Sequence, residues 1–140
     1  MKNIVLFINE SINKKDFIGK DFMHVFKIFD DSVSANKVTL NIDGEKMWIK
    51  SIEMSGKHTL YLTTNKSEAS KYSFNKNYNQ IENVYIDNYS NTEFYKKYNR
   101  LGPDHIDAIY GLKDNDWLLW ISDIKGNTIY LKYTKYSEIE

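Results

Sequence analysis

The sequence predicts one α+β domain over residues 1–140: a mostly antiparallel β-sheet built from two meanders, with two or three helices packed on it. Three observations carry this. Residues 38–64 alternate apolar and polar between two turn signals, Asp43-Gly44 and Ser55-Gly56. Residues 117–136 alternate again around Gly126. Between them, residues 90–101 carry the start, spacing and stop of a helix.

Taken in order, Ile4 to Ile8 form a short strand. In residues 16–29, Ile18, Phe22, Val25, Phe26 and Phe29 fall at helical spacing, while Phe22, His24, Phe26 and Ile28 also alternate like a strand. Length and the acidic Asp16 near the start favour the helix, and Gly19 weakens it. Val38, Leu40 and Ile42 open the first meander. Asp43-Gly44 turns it, Trp48, Ile52 and Met54 share a face of the second strand, and Leu60 and Leu62 mark the third. Residues 65–72 read as one or two helical turns, and Val84 to Ile86 as another short strand.

Residues 90–101 form the best helix. Ser90 or Asn91 can cap it, and Glu93 sits beside the positive end of its dipole. Phe94, Tyr98 and Leu101 make the apolar face, and Gly102-Pro103 stops the helix. Residues 105–112 are a strand or a short helix opening the second meander. Trp117 to Ser122 is apolar on both faces, which predicts a central, doubly covered strand. Ile129, Leu131 and Tyr133 alternate in the last one.

Lys, Asn, Ile, Tyr and Phe supply 67 of the 140 residues, while Ala, Arg, Pro and Gly supply 11. This bias points to a very A+T-rich gene. The absence of cysteine excludes disulfides, thiol nucleophiles and thiolate metal sites. The five-residue apolar run near the N-terminus is too short for a secretory signal or a membrane span. The chain therefore reads as a complete cytoplasmic protein starting at its own Met.

Net charge is zero, so a general affinity for nucleic acid is not expected. The charge is uneven, however. Residues 1–100 hold 15 basic and 12 acidic side chains, net +3; residues 101–140 hold 4 and 7, net −3. Asp104, Asp107, Asp114, Asp116 and Asp123 face Lys113 alone over residues 101–124. Asp is a turn residue, which explains part of this.

Catalytic signals are weak. His24, His58, His105 and Arg100 could in principle serve a phosphate-acting hydrolase or nuclease, but no motif surrounds them. Arg100 also fits as a cation at a helix C-terminus. Asp104, His105 and Asp107 are the densest group of ligand types, yet one short segment rarely completes a metal site. Phosphate-loop, dinucleotide, nucleophile-elbow and zinc-protease motifs are absent. Neither a cofactor nor a resident metal is expected.

The positive signal is aromatic and acidic. Tyr and Trp are enriched at interface centres, and Trp117 and Trp120 cannot share one face of a strand. The expected binding set is Asp104, Asp107, Tyr110, Asp114, Asp116, Trp117 and Trp120, a surface suited to a basic protein such as a nuclease. The expected function is that of a small cytoplasmic inhibitor or immunity protein, bacterial or phage-borne, that masks a toxin's active site or exosite. A+T-rich gene cassettes often carry such proteins. The alternatives are the hydrolase above and a ligand-holding α+β module, which would need an apolar cavity.

Overall fold

The computed structural model describes residues 13–29, 33–56, 58–73, 80–81, 83–88, 91–97, 105–107 and 117–135. These residues are mostly sheet with little helix. Seven strands, β1 (Thr39–Ile42), β2 (Glu45–Glu53), β3 (Thr59–Thr63), β4 (Asn83–Ile86), β5 (His105–Asp107), β6 (Trp117–Lys125) and β7 (Thr128–Lys135), form one sheet in the order β5-β4-β3-β2-β1-β7-β6. The described helices are α1 (Val25–Ile28) and α2 (Glu93–Lys97), and short 3-10 turns occur at residues 14–16, 22–24, 35–37 and 66–68.

The first meander is present as the sequence predicts: β1, β2 and β3 pair antiparallel in succession. Its first turn has only Asp43 (φ 52) and Gly44 (φ 99) between the paired Ile42 and Glu45. Two consecutive positive φ angles are what a two-residue hairpin matched to strand twist requires. Asn41 holds the turn by accepting a hydrogen bond from the Gly44 N–H at 2.8 Å. The β6–β7 hairpin turns on Gly126 (φ 58), again with two loop residues.

The sheet is mixed, which corrects the expectation of two antiparallel meanders. β1 runs parallel to β7, and β3 runs parallel to β4. β5 does not join β6 and β7; it pairs with β4 at the far edge. β6 is likewise an edge strand and not a central one. Its outer edge is occupied instead by the chain before α1. Gly19 N–H donates to Ile121 O at 2.7 Å, and Ile121 N–H donates to Lys20 O at 2.8 Å. Asp21 then bridges to Trp120. Covering an edge in this way satisfies its backbone groups and blocks unwanted strand pairing.

The same contact explains why residues 16–29 are not one helix. Gly19 adopts φ +91, and its N–H is spent on β6. Asp21 then restarts the chain, its side chain accepting from Met23 N–H at the head of a 3-10 turn that leads into α1. The helical spacing still does its work over the second half. Phe22, Val25, Phe26, Ile28 and Phe29 are all buried, whereas Ile18 is exposed.

One face of the sheet carries the core. Leu40, Ile42, Met47, Ile49, Leu60, Leu62, Val84, Ile86, Leu119, Ile121, Ile129 and Leu131 pack with the α1 segment and with Phe94 of α2. Two bulges keep this face apolar by resetting the two-residue period. One lies at Lys50, after which Ile52 returns opposite Leu60; the other lies at Ser122, after which Ile124 returns opposite Ile129. Helix α2 is anchored from a distance. The Glu45 carboxylate accepts from Phe94 N–H at 3.0 Å and from Glu93 N–H at 3.3 Å. The Phe94 ring lies 5.3 Å from that of Tyr133.

The expected strand over residues 4–8 and the helix stop at Gly102-Pro103 fall outside the described residues. No helix among the described residues is long and apolar enough to cross a membrane.

Candidate functional site: the open face of the sheet

Side chains alternate across a strand, so the residues between the core positions stand on the opposite face. The cross-strand register arranges them in rows. On the β2–β3–β4 part, Ser51, Tyr61 and Tyr85 occupy one row and Glu53 and Thr59 the next, with Thr59 buried. On the other half, Lys46, Asn41, Tyr130 and Asp123 occupy one row, and Lys132 pairs with Trp120. Trp48 stands between the halves, with its Nε1–H donating to Thr39 Oγ1 at 3.1 Å.

This face is amphipathic. Tyr61 and Tyr85 are half-buried and meet edge to face with their rings 5.4 Å apart. Desolvation, Glu53 and Tyr85, in that order, raise the Tyr61 phenol pKa above its usual range. Trp120 is half-buried, its indole N–H donating to Thr134 Oγ1 at 2.8 Å. Lys125 Nζ lies 5.4 Å from the Tyr130 ring centre, a cation–π contact. Elsewhere, Lys50 in the β2 bulge reaches Asp87 at 3.0 Å and Glu68 at 3.5 Å, and these carboxylates raise its ammonium pKa.

Among the described residues, the expected binding set is divided between two strands. Asp107 lies in β5 and Trp120 in β6, at opposite edges of the sheet. Trp117 begins β6 across from Lys135. Asp104, Tyr110, Asp114 and Asp116 lie outside the described residues. Nearness in sequence was the only reason to group them, and the strand order separates Asp107 from Trp117 and Trp120.

The histidines are also spread. His24 stands beside the β6 edge, its Nδ1 3.0 Å from Asp21 Oδ1, while His105 belongs to the β5 edge. His58 precedes β3, with its Nδ1 3.1 Å from Gln80 O. Among the described residues no three His, Asp or Glu side chains gather as metal ligands. A hollow of about 750 Å³ beside the Asp43-Gly44 turn is lined by charged groups, including Glu45, Lys46, Glu93 and Lys96, with Ile42 and Phe94 at its floor.

Sequence reasoning passed over Tyr61, Tyr85, Tyr130 and Lys132. Each alternates with core residues such as Leu60, Leu62, Val84 and Leu131, so strand parity alone could have identified them. Comparison of the chain with protein-family models, with curated proteins and with solved structures finds no match in any of the three.

Proposed function

We propose that this chain is a small inhibitor or immunity protein that neutralises a basic toxin domain, docking it on the β2–β5 half of the open face. The observation that carries the reading is the half-buried Tyr61–Tyr85 pair beside the exposed Glu53 on a face turned away from the core. Tyrosine combines a large apolar ring with a hydroxyl and loses little entropy on docking, which suits an interface centre. Glu53 acts electrostatically on the Tyr61 phenol, so an acidic group stands beside the ring pair. Complementary charge would speed the encounter, and the ring pair would hold the complex.

The test is growth rescue. The domain encoded immediately upstream of this gene is expressed with and without the chain. The expected result is that the domain arrests growth, that the chain restores it, and that the Tyr61→Ala/Tyr85→Ala pair loses the rescue while still accumulating folded. A harmless domain, or an arrest the chain does not relieve, refutes the proposal. A fully active double variant refutes the docking site.

A further inference from the structure

We propose that the β6–β7–β1 half of the same face binds single-stranded nucleic acid. This is independent of the inhibitor reading, since it rests on different residues, and either can fail alone.

The half is basic and aromatic. Tyr130 lies in one cross-strand row with Asn41 and Lys46, which places Lys46 about 10 Å from it across two strand spacings. Lys132 follows two residues along the same strand, about 7 Å away, and pairs with Trp120. Lys46 and Lys132 are exposed, and neither forms an ion pair among the described residues. Lys125 lies over the Tyr130 ring. The acids here are Asp43, which lines a hollow on this half, Asp21, bridged to Trp120, and Asp123, whose charge is already paired. The Asp123 carboxylate accepts from Ile124 N–H at 2.8 Å and meets Lys14 at 3.2 Å and Lys125 at 3.9 Å. Lys14, Lys46, Lys97, Lys125 and Lys132 against Asp21, Asp43 and Asp123 leave a local net charge of +2 on a chain whose total is zero.

A hollow of about 340 Å³ opens among these groups, lined by Asn41, Asp43, Lys97, Ser122, Tyr130 and Lys132. Asn41 uses its side-chain oxygen on the turn, which leaves its amide N–H groups to donate to a phosphate or a base edge. Lysines that follow a backbone, with aromatic rings between them, are the pattern that binds unpaired strands. A flat sheet face offers rings to bases already out of a stack, whereas a duplex keeps its bases stacked inside. The net charge argued against nucleic acid because it averages this half with the acidic remainder of the chain.

The experiment is fluorescence anisotropy on the full chain with a labelled oligothymidine of about 12 nucleotides, a length within the range one small domain covers. The expected result is binding that weakens with salt at a log–log slope near −2, which is about −0.7 for each of three neutralised phosphates. Trp120→Ala should weaken binding at least about fivefold, and Trp120→Phe should restore most of it. The exposed pair Lys46→Glu/Lys132→Glu, which leaves the core untouched, should abolish binding. Three results would overturn the proposal. One is no binding at low salt, and the second is equal binding by the double lysine variant. The third is preference for polyglutamate over the oligonucleotide, which would reassign this half to an acidic protein.

Discussion

Replacing Glu45 with Ala tests how this fold holds its second helix. Helix α2 has five residues, too few to be stable alone, and its first N–H groups need acceptors. The Glu45 carboxylate, from β2, supplies them at 3.0 and 3.3 Å. Losing a capping side chain costs about 0.5–2 kcal/mol, and a negative charge at a helix start adds about 0.3–1 kcal/mol. Glu45 is half-buried, so solvent can replace part of this, and the expected loss is about 1–2 kcal/mol. For a chain of 140 residues that lowers Tm by about 3–7 °C. The effect should also reach the core, because Phe94 is buried against Tyr133. Urea unfolding followed by near-ultraviolet circular dichroism would report both. Glu45→Gln keeps an acceptor and removes the charge, so it should fall between the wild type and Glu45→Ala. If Glu45→Ala unfolds within about 0.3 kcal/mol of wild type, the carboxylate does not hold the helix and the reasoning is refuted.

Three further outcomes follow from the same structure. Leu62→Ala removes a fully buried side chain at the middle of the sheet and should cost about 2–5 kcal/mol in urea unfolding. The Asp123 carboxyl is held below its usual range, first by the Ile124 N–H and then by Lys14 and Lys125. The unfolded chain therefore takes up this proton at a higher pH than the folded one. Its stabilisation is complete above about pH 4 and is lost as pH falls through the folded pKa, so Asp123→Asn should flatten the stability profile below pH 4. The Tyr61 phenol should titrate above the usual tyrosine value near 10, and Glu53→Gln should lower its midpoint; ultraviolet titration against Tyr61→Phe identifies the signal.

The first meander was legible because three levels agree there. Leu40, Ile42, Leu60 and Leu62 alternate, Asp43-Gly44 satisfies the hairpin, and every pairing is local. The expected shared face of Trp48, Ile52 and Met54 is corrected: the bulge at Lys50 turns Ile52 to the side of Met47 and Ile49, opposite Trp48, and Met54 lies beyond β2. The parallel pairings β1–β7 and β3–β4 were not legible, since each joins segments whose sequences record no partner. The cap of α2 was hidden for the same reason: its acceptor lies 48 residues before Glu93. Residues 16–29 misled because a true helical spacing from Phe22 onward was extended back across Gly19, whose backbone belongs to β6. Trp117 to Ser122 misled because apolar residues on both faces suggested a central strand, whereas the free edge of β6 is closed by residues 19–21.

The described members of the expected binding set are divided for a topological reason. Residues 104–120 were read as one surface because they are consecutive, but β5 and β6 lie at opposite edges of a seven-stranded sheet. Asp107 pairs with Asn83 of β4, in the half of the sheet that holds Glu53, Tyr61 and Tyr85 from strands earlier in the chain. Trp120 belongs with Lys132, Tyr130 and Lys46. The sheet thus divides a neutral chain into an aromatic half marked by Glu53 and an aromatic half marked by Lys46, Lys125 and Lys132. Function should follow that division: substitutions at Tyr61 and Tyr85 should leave oligonucleotide binding unchanged, and substitutions at Lys46 and Lys132 should leave growth rescue unchanged. Loss of both activities from either pair would mean one continuous interface across the sheet, and the division into halves would be wrong.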